Sequence, residues 1–256
     1  MNISAQDVMA LRNRTGASMM AVKKALVEAA GDNDKAIELL MKRGEAKAAE
    51  KGDRTAGEGA IAIATTDNKA GLVKLNCETD FVARNDEFIA AAEKLAGEAL
   101  NNGADATEKM FEEVKPELFT KMGENLQLSA TDVVEGPVVG SYVHTNRKIG
   151  VVVVLDSGTT DQAKDVAMHA AAMSPAVVNP SEVTQEAVDK QKVIWADQLK
   201  EEGKPAEMID KIMMGKEKKF REEHALMTQP FVKDQNQTVQ QYLGDAKITQ
   251  FVRLAV

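Results

Sequence analysis

The chain has 256 residues, of which 44% are hydrophobic and 28% charged, enough for about two domains of roughly 100 to 200 residues with cores of their own. Lys+Arg 32 against Asp+Glu 40 gives a net charge of −8, which argues against a sequence-independent grip on nucleic-acid phosphates. A single cysteine, Cys77, and three scattered histidines, His144, His169 and His224, exclude an internal disulfide and offer no zinc-ligand spacing.

Residues 1–16 contain an early acid and no apolar run, so they read neither as a secretory signal nor as an Arg-rich transit peptide. The longest apolar run, residues 149–155, is far short of the roughly 18 to 20 residues that cross a bilayer. A cytoplasmic protein without membrane contact is expected.

Three helices are predicted at the start. Ser4 with Asp7 forms a capping-box pattern before Val8, and Thr15-Gly16 closes that helix. Ser18 caps residues 19–30, Gly31 ends them, and residues 32–43 follow up to Gly44. The segment from 47 to 59 is small, polar and Gly-containing, as a linker is, and a domain boundary is expected near Arg54. Residues 1–54 carry ten Lys/Arg against eight Asp/Glu, so the acidity lies beyond them.

A repeat follows. Strand 59–64, a polar turn, strand 72–76 and a helix near 86–100 are matched in order by strand 139–144, a turn at 145–148, strand 149–155 and a helix near 161–173. Alternation in the first strand of each pair predicts one covered face, whereas the Val-rich second strands read as buried on both. Between about 188 and 220, apolar residues fall at helical spacing around a break at 203–205, and the nine charges of each sign over 188–223 describe an exposed helical hairpin with a narrow seam. The chain returns through residues 229–232 to a last strand, 248–256. The fold class is therefore α+β, divided as a head (1–54), a first core subdomain (55–138), a second (139–181 and 229–256) and the inserted hairpin (182–228).

Phosphate-loop, dinucleotide, G-x-S-x-G, H-E-x-x-H and C-x-x-C patterns are all absent from the sequence, so no recognised catalytic arrangement has a motif to stand on and no cofactor is called for. What stands out is the stretch Asn76-Cys77-Glu78-Thr79-Asp80-Phe81-Val82, a turn between strand and helix that sets an aromatic ring beside a carboxylate. Here the chain resembles the elongation factor Ts family. The T-D-F-V signature falls on Thr79, Asp80, Phe81 and Val82, and the L-R-x-R-T-G-A-x-M-M-x-x-K-K-A-L pattern on residues 11–26. G-S-Y-V-H at 140–144, A-M-H at 167–169 before Ser174-Pro175, and Q-P-F at 229–231 agree in order.

The resemblance implies a ubiquitin-associated-like three-helix head on a two-subdomain core. It also implies a non-enzymatic role: accelerating exchange of GDP for GTP on elongation factor Tu during translation. In the family the Asp-Phe tip loosens the partner's magnesium ion, here assigned to residues 79–82, while Arg12, Met19, Met20 and His144 match further partner contacts. The hairpin itself reads as a dimerisation arm, a partner contact or an idle solvated branch. Fuller-length members carry a helical module after the last core strand, and this chain stops at Val256. It also departs from the pattern in having Ser18 where glycine is common and Arg84 where lysine is frequent.

The residues themselves leave alternatives open. Asp80 also reads as a cap for the following helix, Phe81 as a ring folded into its own core, and His144 as a local hydrogen-bonding group. Met19 continues the Val22-Leu26-Ala29 core stripe, whereas Met20 points toward the lysines and is the better contact. Cys77 and His169 read as packing residues. A protein-binding adaptor without effect on nucleotides is the rival reading, and the T-D-F-V turn discriminates against it.

Overall fold

The computed structural model describes residues 3–52, 54–203 and 205–256, with the backbone alone at 45, 47–51, 206 and 207. The head begins with α1 (Ala5–Thr15), where the Ser4 hydroxyl accepts the Asp7 N–H and the Asp7 carboxylate accepts the Ser4 N–H. Gly16, at φ 68°, stops it in the left-handed conformation that glycine adopts without steric penalty. Ser18 caps α2 (Met19–Glu28) in the same way through the Ala21 N–H. Val8, Leu11, Val22, Ala25, Leu26, Ala36 and Leu40 close the small core between α1, α2 and α3 (Asn33–Lys51).

Gly44 does not end the third helix. The helix runs through it to Lys51, so the expected linker begins as helix. Gly44 is buried where α3 crosses α6 (Ala104–Met122): a Cβ there would press on Thr120 Oγ1 and sit 2.8 Å from the Pro116 carbonyl oxygen. Glycine is present for close helix approach, not for termination.

The first repeat unit is the antiparallel pair β1 (Glu58–Thr65) and β2 (Lys69–Cys77), then a short helix α4 (Asp80–Ala83) and the long α5 (Asp86–Asn102). After α6, strand β3 (Gln127–Glu135) returns to the far side of β2, giving the order β1-β2-β3. The second unit has β4 (Val138–Val143), β5 (Ile149–Leu155) and α7 (Thr160–Met173), with the last strand, β8 (Ile248–Ala255), beside β5 in the order β4-β5-β8. Each unit is thus a three-stranded sheet whose middle strand is the second of its hairpin, buried along most of its length.

The two sheets pack face to face. Ile63, Ala70, Leu72 and Val134 of the first meet Val139, Val152 and Val154 of the second, with Val252 and Leu254 at the margin. On the outer faces α5 covers Ala60, Ala62, Val73 and Leu75, and α7 covers Val151, Val153 and Leu155. The core is therefore helix, sheet, sheet, helix. Strand β1 is covered on both faces over Ala60, Ile61 and Ala62, where alternation predicted one covered face. Alanine facing the helix is small enough to mimic a polar position in a binary pattern, which is why the pattern misleads.

The hairpin consists of α8 (Gln185–Glu201) and α9 (Ala206–His224). Its seam holds Val188, Trp195 and Leu199, with the Trp195 ring edge-on to Phe220 at 5.7 Å and Lys192 paired to Glu217 at 2.7 Å. Chain entry and exit lie side by side, since the His224 carbonyl accepts the Ala176 N–H and the Val177 carbonyl accepts the Leu226 N–H. Beneath them His169 of α7 is fully buried. Its Nδ1 accepts the Val232 N–H at 3.1 Å, so Nε2 carries the proton and donates to Gln229 Oε1 at 2.9 Å, while Gln229 Nε2 reaches the Glu223 carbonyl at 2.7 Å. The return segment forms β6 (Pro230–Phe231), β7 (Asp234–Thr238) and α10 (Val239–Leu243), with Phe231 stacked on Tyr242.

Two expectations follow from these packings. Gly44→Ala gains about 1 kcal/mol of helix propensity but overpacks against α6 backbone, so a net loss of about 1–2 kcal/mol is expected in urea unfolding. Burial depresses the pKa of His169 below its ordinary value. The unfolded chain therefore takes up this proton first, and the stability held above about pH 6.5 falls as pH drops below it, by at most about 1.4 kcal/mol per pH unit. Urea midpoints measured from pH 7.5 to 5.5 should show this fall, and His169→Gln should flatten it.

Candidate functional site

The sequence between β2 and α5 makes two successive helix starts. Thr79 caps α4, its Oγ1 accepting the Val82 N–H at 3.4 Å, and Asn85 caps α5 through the Glu87 and Phe88 N–H groups. Neither cap is Asp80. Its carboxylate instead meets Arg84 at 3.1 Å, with Arg84 largely in solvent and Asp80 half-exposed, so the reading of Asp80 as the cap of the following helix is replaced by one in which it pairs with Arg84 at the surface.

The four signature residues divide into two pairs. Val82 is half-buried and packs with Ala83 toward the α5 core. Thr79 is held from below by Glu124: Glu124 Oε2 accepts the Glu78 and Thr79 N–H groups, each at 3.0 Å, and Oε1 accepts the Thr79 hydroxyl at 2.6 Å. Asp80 and Phe81 face away from these anchors. Phe81 is 83% exposed, more than any other large apolar side chain among the described residues. A phenyl ring kept in water on a hydrogen-bonded turn forgoes the roughly 1.5–3 kcal/mol that burial would supply. The alternative in which Phe81 folds into its own core is excluded by this exposure.

Cys77, beneath the turn, donates its thiol to the Thr79 carbonyl at 3.2 Å. Burial, with the Glu124 carboxylate beside it, pushes the Cys77 thiol up to about 12, which keeps it protonated and inert.

The turn carrying His144 is brought to the same edge of the molecule. The Arg147 carbonyl accepts the Ile61 N–H at 2.7 Å, Lys148 pairs with Glu58 at 2.6 Å, and Arg147 pairs with Glu93 at 2.8 Å. Residues 145–148 then face Asp80 and Arg84 across a cleft of about 320 Å³. His144 itself sits half-exposed beside this cleft, its Nδ1 2.8 Å from Asn146 Oδ1.

Arg12, Met19 and Met20 lie on the head. Arg12 and Met19 line a groove of about 660 Å³ between the head and the end of α6, and Met20 lies on a shallower surface with Lys23, Lys24 and Val27. Met19 is 44% exposed and Met20 64%, so Met19 does not continue the core stripe. It occupies the first turn of α2, where the head core is already closed by Val22 one turn further in. Glu124, which anchors the tip, is a residue the sequence reading missed: it lies 45 residues from Thr79, and a lone glutamate after a glycine carries no local pattern.

Residues 78–256 match the family described as Elongation factor TS. Among curated proteins, Elongation factor Ts of Deinococcus deserti is 43% identical over 98% of this chain and 98% of its own length. The protein of the same name from Nitratiruptor sp. is 44% identical over 99% of this chain and 92% of its own, and that of Francisella tularensis subsp. novicida is 45% identical over 100% and 92%. At this identity along nearly the full length, the chain belongs to the elongation factor Ts family, a family of translation elongation factors and not of enzymes.

Proposed function

We propose that this protein binds the GDP-bound form of elongation factor Tu in the cytoplasm, dislodges the partner's magnesium ion and so promotes GDP release, allowing GTP to bind. The observation that carries the reading is the outward pair Asp80 and Phe81 on a turn fixed from behind. Phe81 acts as a wedge against the elements that present the partner's magnesium ligands, and Asp80 adds a negative charge near a site already crowded with phosphate oxygens. Thr79 and Val82 hold that pair in place. His144, on the neighbouring turn, and Arg12, Met19 and Met20, on the head, supply further contact that keeps the partner in register.

Exchange of this kind makes and breaks no covalent bond. It requires only that the factor and GDP weaken each other's binding, and the coupling is reciprocal. Each tenfold loss of GDP affinity corresponds to about 1.4 kcal/mol, within reach of one aromatic anchor. Because GTP meets the same opened site, both nucleotides exchange faster, and their relative concentrations set the direction.

The test is release of a fluorescent GDP analogue from elongation factor Tu in stopped flow, with this protein varied and unlabelled GDP in excess. A rate that rises with factor concentration and saturates is expected. Phe81→Ala should lower the plateau by at least about tenfold, yet leave urea stability within about 0.5 kcal/mol, because the ring is already in solvent. Equal plateaus for mutant and wild type would remove the wedge from the mechanism.

A further inference from the structure

We propose that Glu124 is a positioning residue for nucleotide exchange, holding the 78–79 turn in the conformation that presents Asp80 and Phe81; this inference rests on the exchange reading above. The tip has little of its own to fix it. Helix α4 has four residues, too few to be stable alone. The Asp80–Arg84 pair, with Arg84 exposed and Asp80 half-exposed, joins two residues of the same turn, so it cannot locate that turn relative to the core. Phe81 is 83% exposed and contributes little packing.

Val82 and Ala83 pack the tip's underside against the core, but the hydrogen bonds that fix residues 78 and 79 to a distant part of the chain come from one carboxylate. Glu124 follows Gly123, whose left-handed backbone at φ 73° ends α6 and turns the chain toward the tip. Both Glu124 oxygens are used, one on the Glu78 and Thr79 N–H groups and one on the Thr79 hydroxyl. With its proton directed at Glu124, the Thr79 hydroxyl has a lone pair free to accept the Val82 N–H, so Glu124 also orients the cap of α4. The arrangement is reciprocal. Glu78 accepts the Asn125 N–H at 2.8 Å and meets the Arg54 guanidinium at 3.4 Å, so each two-residue segment is gripped by the other's glutamate. Asn125, 1% exposed, donates from Nδ2 to the carbonyls of Gly52 and Arg54 at 3.0 and 2.8 Å. The clasp at 124–125 therefore fixes the tip and the chain leaving the head to one point, and sets the wedge at a defined place relative to the head's own contact surface.

The experiment is a mutant cycle on the full-length protein, read as the plateau rate of fluorescent GDP release at saturating factor. Glu124→Ala should lower the plateau about tenfold, the size of a lost charge-assisted hydrogen bond. Glu124→Gln, whose amide oxygen can still accept both N–H groups, should recover most of that loss. On the Phe81→Ala background, Glu124→Ala should cost clearly less than it does alone, because only Asp80 is left to position. An unchanged plateau in Glu124→Ala alongside a lowered one in Phe81→Ala overturns the positioning role and leaves the exchange reading standing. Losses that multiply in the double variant overturn it too. If Phe81→Ala also leaves the plateau unchanged, the wedge fails and the proposal with it; if the wild-type protein does not accelerate release at all, the exchange reading itself fails. Should the alanine variant not fold by circular dichroism, Glu124→Asp, one methylene short of the turn, carries the same expectations.

Discussion

The contact between the two sheets determines where everything else in the core sits. Each sheet has an outer face already occupied by its helix, so the inner faces, with Leu72 and Val134 on one side and Val139, Val152 and Val154 on the other, can leave water only by covering one another. Close approach is possible because Gly150 offers no side chain where Ile61 projects. Once the sheets are seated, the turn between β4 and β5 has no choice but to run along the edge of β1, where the Arg147 carbonyl receives the Ile61 N–H. That is how a turn from the second repeat comes to stand opposite the Asp80 turn of the first. The cleft between them is a product of apolar packing several residues away, and neither turn has to recognise the other.

The tip resolves a conflict between exposure and order. An aromatic ring in water tends to pull its loop inward, and a flexible loop that must order on binding loses affinity in doing so. Here the loop cannot collapse, since Val82 and Ala83 already fill the space beneath it and the backbone N–H groups of residues 78 and 79 are committed to Glu124. The rigidity is supplied by polar groups at the back, and the front is left facing solvent. The same division explains why the signature mixes a hydroxyl, a carboxylate, a ring and a β-branched residue: two of the four serve the fold and two face outward.

Much of this could be read in the chain beforehand, and the reason is locality. The Ser4–Asp7 box, the stops at Gly16 and Gly31 and both β-hairpins depend on residues within a few positions of one another, and a short window contains their causes. The elements that escaped notice depend on distant partners. Gly44 reads as a stop until Pro116 and Thr120 are seen beside it. Strand β3, half-exposed through most of its length, has a weak pattern of its own and is a strand because β2 offers it an open edge. Met19 falls on the core stripe by its spacing, but spacing does not say how far along a helix the core extends. At the tip, the four residues that face or carry the ring were visible by pattern, whereas the glutamate behind them was invisible for want of one.

The hairpin enters and leaves the core through one small patch of backbone, where Val177 and Ala225 bridge and His224, Leu226 and Met227 exchange hydrogen bonds with residues 176–178. Chain ends held that close make the intervening helices a side branch, topologically equivalent to a surface loop. Its length is thereby uncoupled from the sheet that carries it: whole helical turns can be added to or deleted from both arms together while β5 and β8 keep their register. Relatives with longer or shorter arms can thus place the hairpin's far end at different reaches on an unchanged body, and reach can diverge within such a fold without any compensating change in its core.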